Sequence, residues 1–268
     1  MPIRTSVISV SYNNEDSIEK FISSVLKNIS KNDELIIVDN HSSDSTVEKI
    51  SKFKNVRLVL SDKNLGFSKG NNLGVKAAKG QYLFFLNPDT FLDKPILDEL
   101  IDFYEDRNAG LIGPKLILPD GKIQPSVRNL PTFWGAFQEY ILGIKDKFSQ
   151  YVPLETQPVE VGAVYGAAML ITKELFEKIK GFNEQYFLYY EDIDLCRKIK
   201  KAGKKVYYFP EVSIKHVVGG SKSDLDRALV NRKSLYVYHG LVEGLALNLI
   251  FLIRRLRHKL NSSKIDLG

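Results

Sequence analysis

The chain has 268 residues, 44% of them hydrophobic and 26% charged, and its 18 glycines and 10 prolines are too few for a collagenous or low-complexity chain. At this length roughly 70–75% of the unfolded surface is buried on folding, enough for a core without staples, which excludes a disordered or fibrous protein. The balance of 38 Lys and Arg against 32 Asp and Glu gives a net charge of +6 and favours anionic partners, while the one cysteine, Cys196, excludes an intrachain disulfide and suits a reducing compartment.

Residues 7–12 read as a strand. Ile18, Phe21, Ile22, Val25, Leu26 and Ile29 then keep the 3–4 spacing of an amphipathic helix. Residues 35–38 form an apolar strand, and Ser45 with Glu48 is a capping-box pattern opening a short helix. Strands at 56–60 and 82–86 flank a helix at 73–78. Short strands alternating with helices predict right-handed βαβ crossovers and a mostly parallel sheet covered on both faces. Further on, the spacing predicts a hairpin over 116–124 and a loop-rich insertion over 129–158. A strand at 167–172, a helix over 191–202 stopped by Gly203 and a strand at 206–209 follow. Helical pattern resumes from 223 to 260. The organisation expected is a catalytic α/β domain over 1–222 with a helical extension over 223–268. No leader is read at the N-terminus, and no apolar run approaches the ~20 residues that span a bilayer.

In open α/β sheets ligands bind outside the carboxyl ends of the parallel strands. Those ends read Ser11-Tyr12-Asn13, Asp39-Asn40, Ser61-Asp62 and Asn87-Pro88-Asp89, so polar groups gather on one rim. The loop 64–72 carries Gly66 and Gly70 and admits close backbone approach, yet it is neither a Walker loop nor a dinucleotide fingerprint. Asp89, just past a buried strand, is placed either to hold a hard cation or to make an Asx turn. Asp192 heads the stripe Leu195, Cys196, Ile199 at i, i+3, i+4 and i+7, which turns a carboxylate inward at a helix start. The helix end favours its ionised form, whereas burial and adjacent Glu191 oppose it, the balance a general base needs. His216, before Gly219-Gly220-Ser221, becomes a second cation ligand if it reaches Asp89.

Together these pieces resemble the inverting GT-A glycosyltransferases of family 2, on the side of the bacterial rhamnosyltransferases. The resemblance runs from about residue 5 to about residue 240. It is carried by Val10-Ser11-Tyr12-Asn13, Val38-Asp39-Asn40 with Ser42-Ser43-Asp44, the loop 64–72, residues 86–90, Gly166-Ala167-Ala168-Met169, residues 187–197 and His216. It implies a Rossmann-like GT-A fold and transfer of a single sugar, L-rhamnose from dTDP-rhamnose as the first choice, from a dTDP- or UDP-sugar to a glycan or lipid-linked hydroxyl with inversion. That activity would serve cell-envelope polysaccharide biosynthesis. By the same resemblance Ser11, Tyr12 and Asp39 hold the nucleoside, and Gly66, Phe67 and Asn72 line the nucleotide pocket. Gly166 and Ala167 floor the donor sugar, and Asp192 is the base with Glu191 supporting the acceptor. Asp89 and His216 hold Mg²⁺ or Mn²⁺. Asn87 stands where the family's motif has its first acid, which weakens the expectation of a metal.

Two other readings share the fold: a non-catalytic nucleotide- or glycan-binding module, and a nucleotidyltransferase. An inward-facing base argues against the first; the lack of a glycine-rich basic loop after strand one argues against the second. Nucleic acid is not expected, because the charge is not interleaved with aromatics on one element. In the tail, Leu245, Leu249, Leu252, Ile253, Leu256 and Leu260 form an apolar stripe beside Arg254, Arg255, Arg257 and Lys259. This helix is expected either to pack on the core or a second copy of the chain, or to rest on an anionic membrane. The protein is thus expected in the cytoplasm, peripheral on the inner face of the cell membrane.

Overall fold

The computed structural model describes residues 2–217 and 227–265. The elements in chain order are β1 (Thr5–Ser11), α1 (Ile18–Asn28), β2 (Asp33–Asp39), α2 (Thr46–Ser51), β3 (Val56–Leu60), α3 (Gly66–Ala77), β4 (Tyr82–Leu86) and β5 (Thr90–Phe91). There follow α4 (Leu97–Asp106), β6 (Leu111–Ile117), β7 (Val127–Arg128), α5 (Phe133–Tyr140), β8 (Val159–Glu160), β9 (Ala163–Val164) and β10 (Ala168–Thr172). The chain ends with α6 (Lys173–Lys178), α7 (Glu191–Lys201), β11 (Val206–His216) and α8 (Arg227–Ile265).

Among the described residues the main sheet has nine strands in the order β3-β2-β1-β4-β10-β6-β11-β5, with β8 also on β11. β3, β2, β1 and β4 run parallel, as do β6 and β11; β10 is antiparallel between the two sets. Alternation along the strands sends successive side chains to opposite faces. Val7, Leu35 and Phe84 join a core with α1, α2 and α4, whereas Ile8, Ile36 and Phe85 join one with α3, α6, α7 and α8. On α1, Ile18, Phe21, Ile22 and Val25 are fully buried, each stabilising the fold by about 1.5–3 kcal/mol.

Several elements depart from the sequence reading. α3 begins at Gly66, ahead of the 73–78 helix expected, because Gly70 and Gly74 are contact points and not breakers. A Cβ on Gly70 would stand 2.8 Å from Val10 Cγ1, and one on Gly74 2.5 Å from Ile8 Cγ2. α4 has no counterpart in the reading. The insertion 129–158 holds α5, which Thr132 caps by accepting from Gly135 N at 3.0 Å. Ser45 makes no cap on α2; Asp44 Oδ1 accepts from Thr46 N at 3.0 Å instead. The 116–124 turn is tight, Leu118 N donating to Lys122 O at 2.9 Å, but its return pairs only by the Ile117–Ile123 bridge. β11 continues past Phe209 to His216 through a register shift around Pro210, which has no N–H for the ladder.

The tail is broken as well. Gly240, at φ 75° and ψ 179°, divides α8 into two helical stretches. The helix start expected at 223, the domain boundary between 222 and 223, and Gly219-Gly220-Ser221 lie outside the described residues. Ala228–Arg257 is long and apolar enough by composition to cross a bilayer, with a mean hydropathy of 1.5 and 22% burial in its most apolar window. No uninterrupted apolar run makes up that length: polar residues are few but scattered, and Gly240 breaks the segment.

Candidate active site

Two left-handed residues aim the start of α7. Tyr189 and Tyr190 have φ of 70° and 71°, a conformation that costs a residue with a Cβ about 1–3 kcal/mol. The turn delivers Glu191 and Asp192 to the wall of a cavity of about 1050 Å³. Asp192 is 8% exposed, and both of its oxygens are held: Gly166 N donates to Oδ2 at 2.9 Å and Ile193 N to Oδ1 at 2.8 Å. Burial pushes the Asp192 carboxyl up, while the Arg128 guanidinium and these N–H groups pull it back. The net direction is upward. Glu191 is raised well above its ordinary value by burial and by Asp192, and its Oε2 has no partner. The N–H donors and Arg128 favour the charged form at Asp192, and Glu191 has no such support.

Gly166 explains the close approach of the β9–β10 turn to α7. A Cβ there would stand 3.3 Å from Asp192 Cβ and 3.6 Å from the Phe67 ring. Ala167 is fully buried and its carbonyl accepts from Asn87 N at 2.9 Å, tying this floor to the end of β4. Phe67, Asn87, Gly166, Ala167, Glu191 and Asp192 thus share one cavity.

Beside it, β5 and the end of β11 bring Asp89 to His216. His216 Nε2 lies 3.3 Å from Asp89 Oδ1, and its Nδ1 is 2.7 Å from Gln124 Oε1. With the amide oxygen accepting from Nδ1–H, Nε2 presents a lone pair towards a carboxylate oxygen that is buried without a hydrogen bond. Two acceptors facing each other suit a cation between or beside them. Among the described residues no group of three His, Cys, Asp or Glu gathers, so the pair fits a cation completed by ligand oxygens and water, not a protein-only cage. Tyr165 links the two places: its ring is 5.9 Å from His216, and burial together with Asp192, Asp89 and Glu191 pushes its hydroxyl up.

At the ends of β1 and β2, Tyr12 is half-buried. Asp39 is 2% exposed; its Oδ2 accepts from Ser42 N at 3.0 Å and its Oδ1 is unpartnered. Three other residues expected at the nucleotide are also held within the chain. Ser11 is fully buried with its hydroxyl on Asn14 Oδ1 at 3.1 Å, so its side chain holds the turn. Gly66, at φ 75°, is pressed on the backbone of Phe187, where a Cβ would stand 2.3 Å from the carbonyl oxygen. Asn72 brackets α3 to the turn before α7, donating to Phe182 O at 2.9 Å and accepting from Phe182 N at 3.1 Å. Each of these polar or flexible positions is taken by the chain itself.

The sequence profile of Glycosyl transferase family 2 matches residues 6–180. The chain belongs to glycosyl transferase family 2. A second profile, the N-terminal domain of galactosyltransferase, matches residues 156–218 of this glycosyltransferase. The enzyme is 27% identical over 253 residues to an N-acetylglucosaminyl-diphospho-decaprenol L-rhamnosyltransferase of Mycobacterium tuberculosis, covering 87% of this chain and 82% of the relative. It is 29% identical over 217 residues to the rhamnosyltransferase WbbL of Escherichia coli, covering 76% and 80%. The glycosyltransferase superposes with a TM-score of 0.65 and 17% identity on GalNAc-T7 crystallised with UDP, GalNAc and Mn²⁺, over 87% of this chain and 47% of that one. The fold is GT-A, a mostly parallel sheet with flanking helices and the C-terminal α8.

Sequence reasoning about this glycosyltransferase missed Arg128, Gln124, Tyr165 and the contribution of α8. Arg128 lies in β7, between the hairpin read over 116–124 and the insertion read over 129–158, where only its charge near an unplaced carboxylate could have marked it. α8 is clamped to α7: Arg197 pairs with Asp194, donates to Tyr238 O at 3.1 Å and stacks 3.9 Å from the Tyr238 ring.

Proposed function

We propose that this glycosyltransferase moves one sugar, L-rhamnose from dTDP-rhamnose, onto a hydroxyl of a lipid-linked glycan with inversion. The observation that carries it is Asp192, a buried carboxylate kept ionised by N–H donors at the wall of a cavity floored by Gly166 and Ala167. Its raised affinity for a proton suits removal of the acceptor's hydroxyl proton as the oxygen attacks the anomeric carbon and the nucleoside diphosphate leaves from the opposite face. Tyr12 and the free oxygen of Asp39 are suited to the nucleoside, and Phe67 to the nucleotide side of the floor. Asp89 and His216 would hold Mg²⁺ or Mn²⁺, which when bound would offset the charge of the departing diphosphate. The two rhamnosyltransferase relatives support the donor; the substrate in the name of the mycobacterial one supports a diphosphate-linked acceptor. Incubating the protein with UDP-, dTDP- and GDP-sugars and reading the product's anomeric configuration by proton NMR tests the reading. Turnover of dTDP-rhamnose with inverted configuration is expected, and retention overturns it.

The same reading puts the enzyme on the cytoplasmic face of the membrane. Leu241, Val242, Leu245, Leu249, Leu252 and Leu256 are 52–83% exposed, whereas Leu247 and Ile250 turn inward. Of the stripe expected from sequence, Leu245, Leu249, Leu252 and Leu256 are thus bare and Ile253 is half-buried, while Leu247 and Ile250, outside that stripe, make the packed row; the Leu260 side chain lies outside the described residues. Exposed leucines beside Arg255 and Arg257 suit an in-plane helix on anionic lipid. Co-sedimentation with phosphatidylglycerol vesicles should fall with salt and in the Leu245→Gln/Leu249→Gln/Leu252→Gln variant. Unchanged binding in that variant, or its conversion from dimer to monomer without vesicle binding in either protein, sinks the membrane reading.

A further inference from the structure

The cavity has two walls of opposite charge. Glu191 and Asp192 stand on the α7 wall; Arg128, Arg232, Arg254 and Arg255 line the rest, the last three contributed by α8. Arg254 lies 4.3 Å over the Tyr140 ring, and the Arg128 charge acts on Asp192. Among the described residues, no carboxylate lies within ion-pair distance of Arg232 or Arg255. Guanidinium groups turned to a common cavity without a carboxylate partner repel one another, and the arrangement becomes favourable when an anion with several oxygens sits among them. The donor's diphosphate does not account for them, because its expected place is the rim at Asp89 and His216, neither of which lines this cavity. Leu235 and Phe251 line the cavity beside the arginines, so apolar side chains stand next to the cationic wall.

We infer that the α8 wall is a second anion subsite, separate from the donor's, that takes the phosphate or diphosphate of the acceptor through Arg232 and Arg255. This rests on the glycosyltransferase reading above: the acceptor hydroxyl faces Asp192 while its phosphate is held across the cavity. All three α8 arginines are exposed, but Arg254 braces the wall on Tyr140, so Arg232 and Arg255 are the ones whose loss leaves the fold intact.

The test is calorimetric titration of the full chain, with dTDP and Mg²⁺ saturating, by farnesyl diphosphate, farnesol and inorganic pyrophosphate. Farnesyl diphosphate is expected to bind alongside dTDP, and farnesol at least about tenfold more weakly. The Arg232→Gln/Arg255→Gln variant should bind farnesyl diphosphate at least about tenfold more weakly, the Arg232→Lys/Arg255→Lys variant should recover most of that loss, and dTDP affinity should be the same in all three proteins. Pyrophosphate weaker than farnesyl diphosphate supports a lipid source for the anion; equal affinity supports the subsite with a soluble phosphate as its ligand. Displacement of farnesyl diphosphate by dTDP, or unchanged binding in the Gln variant, overturns the inference. A chain that does not bind dTDP overturns the donor reading instead, and the subsite is then decided by the same variants titrated without nucleotide.

Discussion

Asp192→Asn is expected to slow sugar transfer by about 10²–10⁴-fold while leaving donor binding near that of the native chain. The asparagine keeps one oxygen for Gly166 N or Ile193 N, so the α7 start stays in place, but it has no charge with which to accept the acceptor's proton. Single-turnover transfer and donor titration separate the two effects; transfer within a few-fold of native removes Asp192 from the base role. In the native enzyme kcat should climb with pH through a value above the ordinary aspartate range, because burial raises Asp192. Neighbouring Glu191 gives the opposite sign in stability. Its folded-state pKa is raised well above that of the unfolded chain, so between the two values the folded state binds more protons and stability falls as pH rises. Glu191→Gln should therefore melt higher than native at neutral pH, with the gap closing as pH falls to the ordinary glutamate range. Melting curves over pH check this, and a gap that widens in acid contradicts it.

Removing divalent cations with EDTA is expected to weaken nucleoside diphosphate binding, and Asp89→Ala to make binding indifferent to EDTA. The reason is geometric: Asp89 Oδ1 is buried without a hydrogen bond, 3.3 Å from His216 Nε2. With Gln124 Oε1 accepting from Nδ1–H at 2.7 Å, the Nε2 lone pair faces Asp89 Oδ1. Loss of such an outer partner commonly costs about 10–100-fold in metal affinity, so Gln124→Leu should raise the cation concentration that half-restores binding by about that factor. Isothermal titration of dTDP at graded Mg²⁺ reads both variants. Equal affinity for dTDP with and without EDTA in the native chain removes the cation from Asp89 and His216, and Asn87, which brings no charge to this rim, would then fit a site that works without one.

What the sequence by itself determined is what short-range physics writes into it. The continuous apolar runs of β2 and β4 and the 3–4 spacing of α1 dictate a sheet with two covered faces, since each apolar row must be buried. Asp192 was legible for the same reason: it heads an apolar stripe, and a carboxylate there must point inward. What only the tertiary structure decided depends on partners far apart in the chain. Asn72, Ser11 and Gly66 find Phe182, Asn14 and Phe187 as partners within the chain, which no local pattern announces. Asp89 meets His216 only because β11 carries on past Pro210 to pair with β5. Gly240 breaks the tail by adopting a left-handed φ that its neighbours in sequence do not announce, and packing leaves the leucines of the expected stripe bare while Leu247 and Ile250 turn inward. Arg128 and the arginines of α8 acquire a role only where long-range packing brings an insertion and a C-terminal helix around one cavity, because charge acts through space and a local pattern records only what is nearby along the chain.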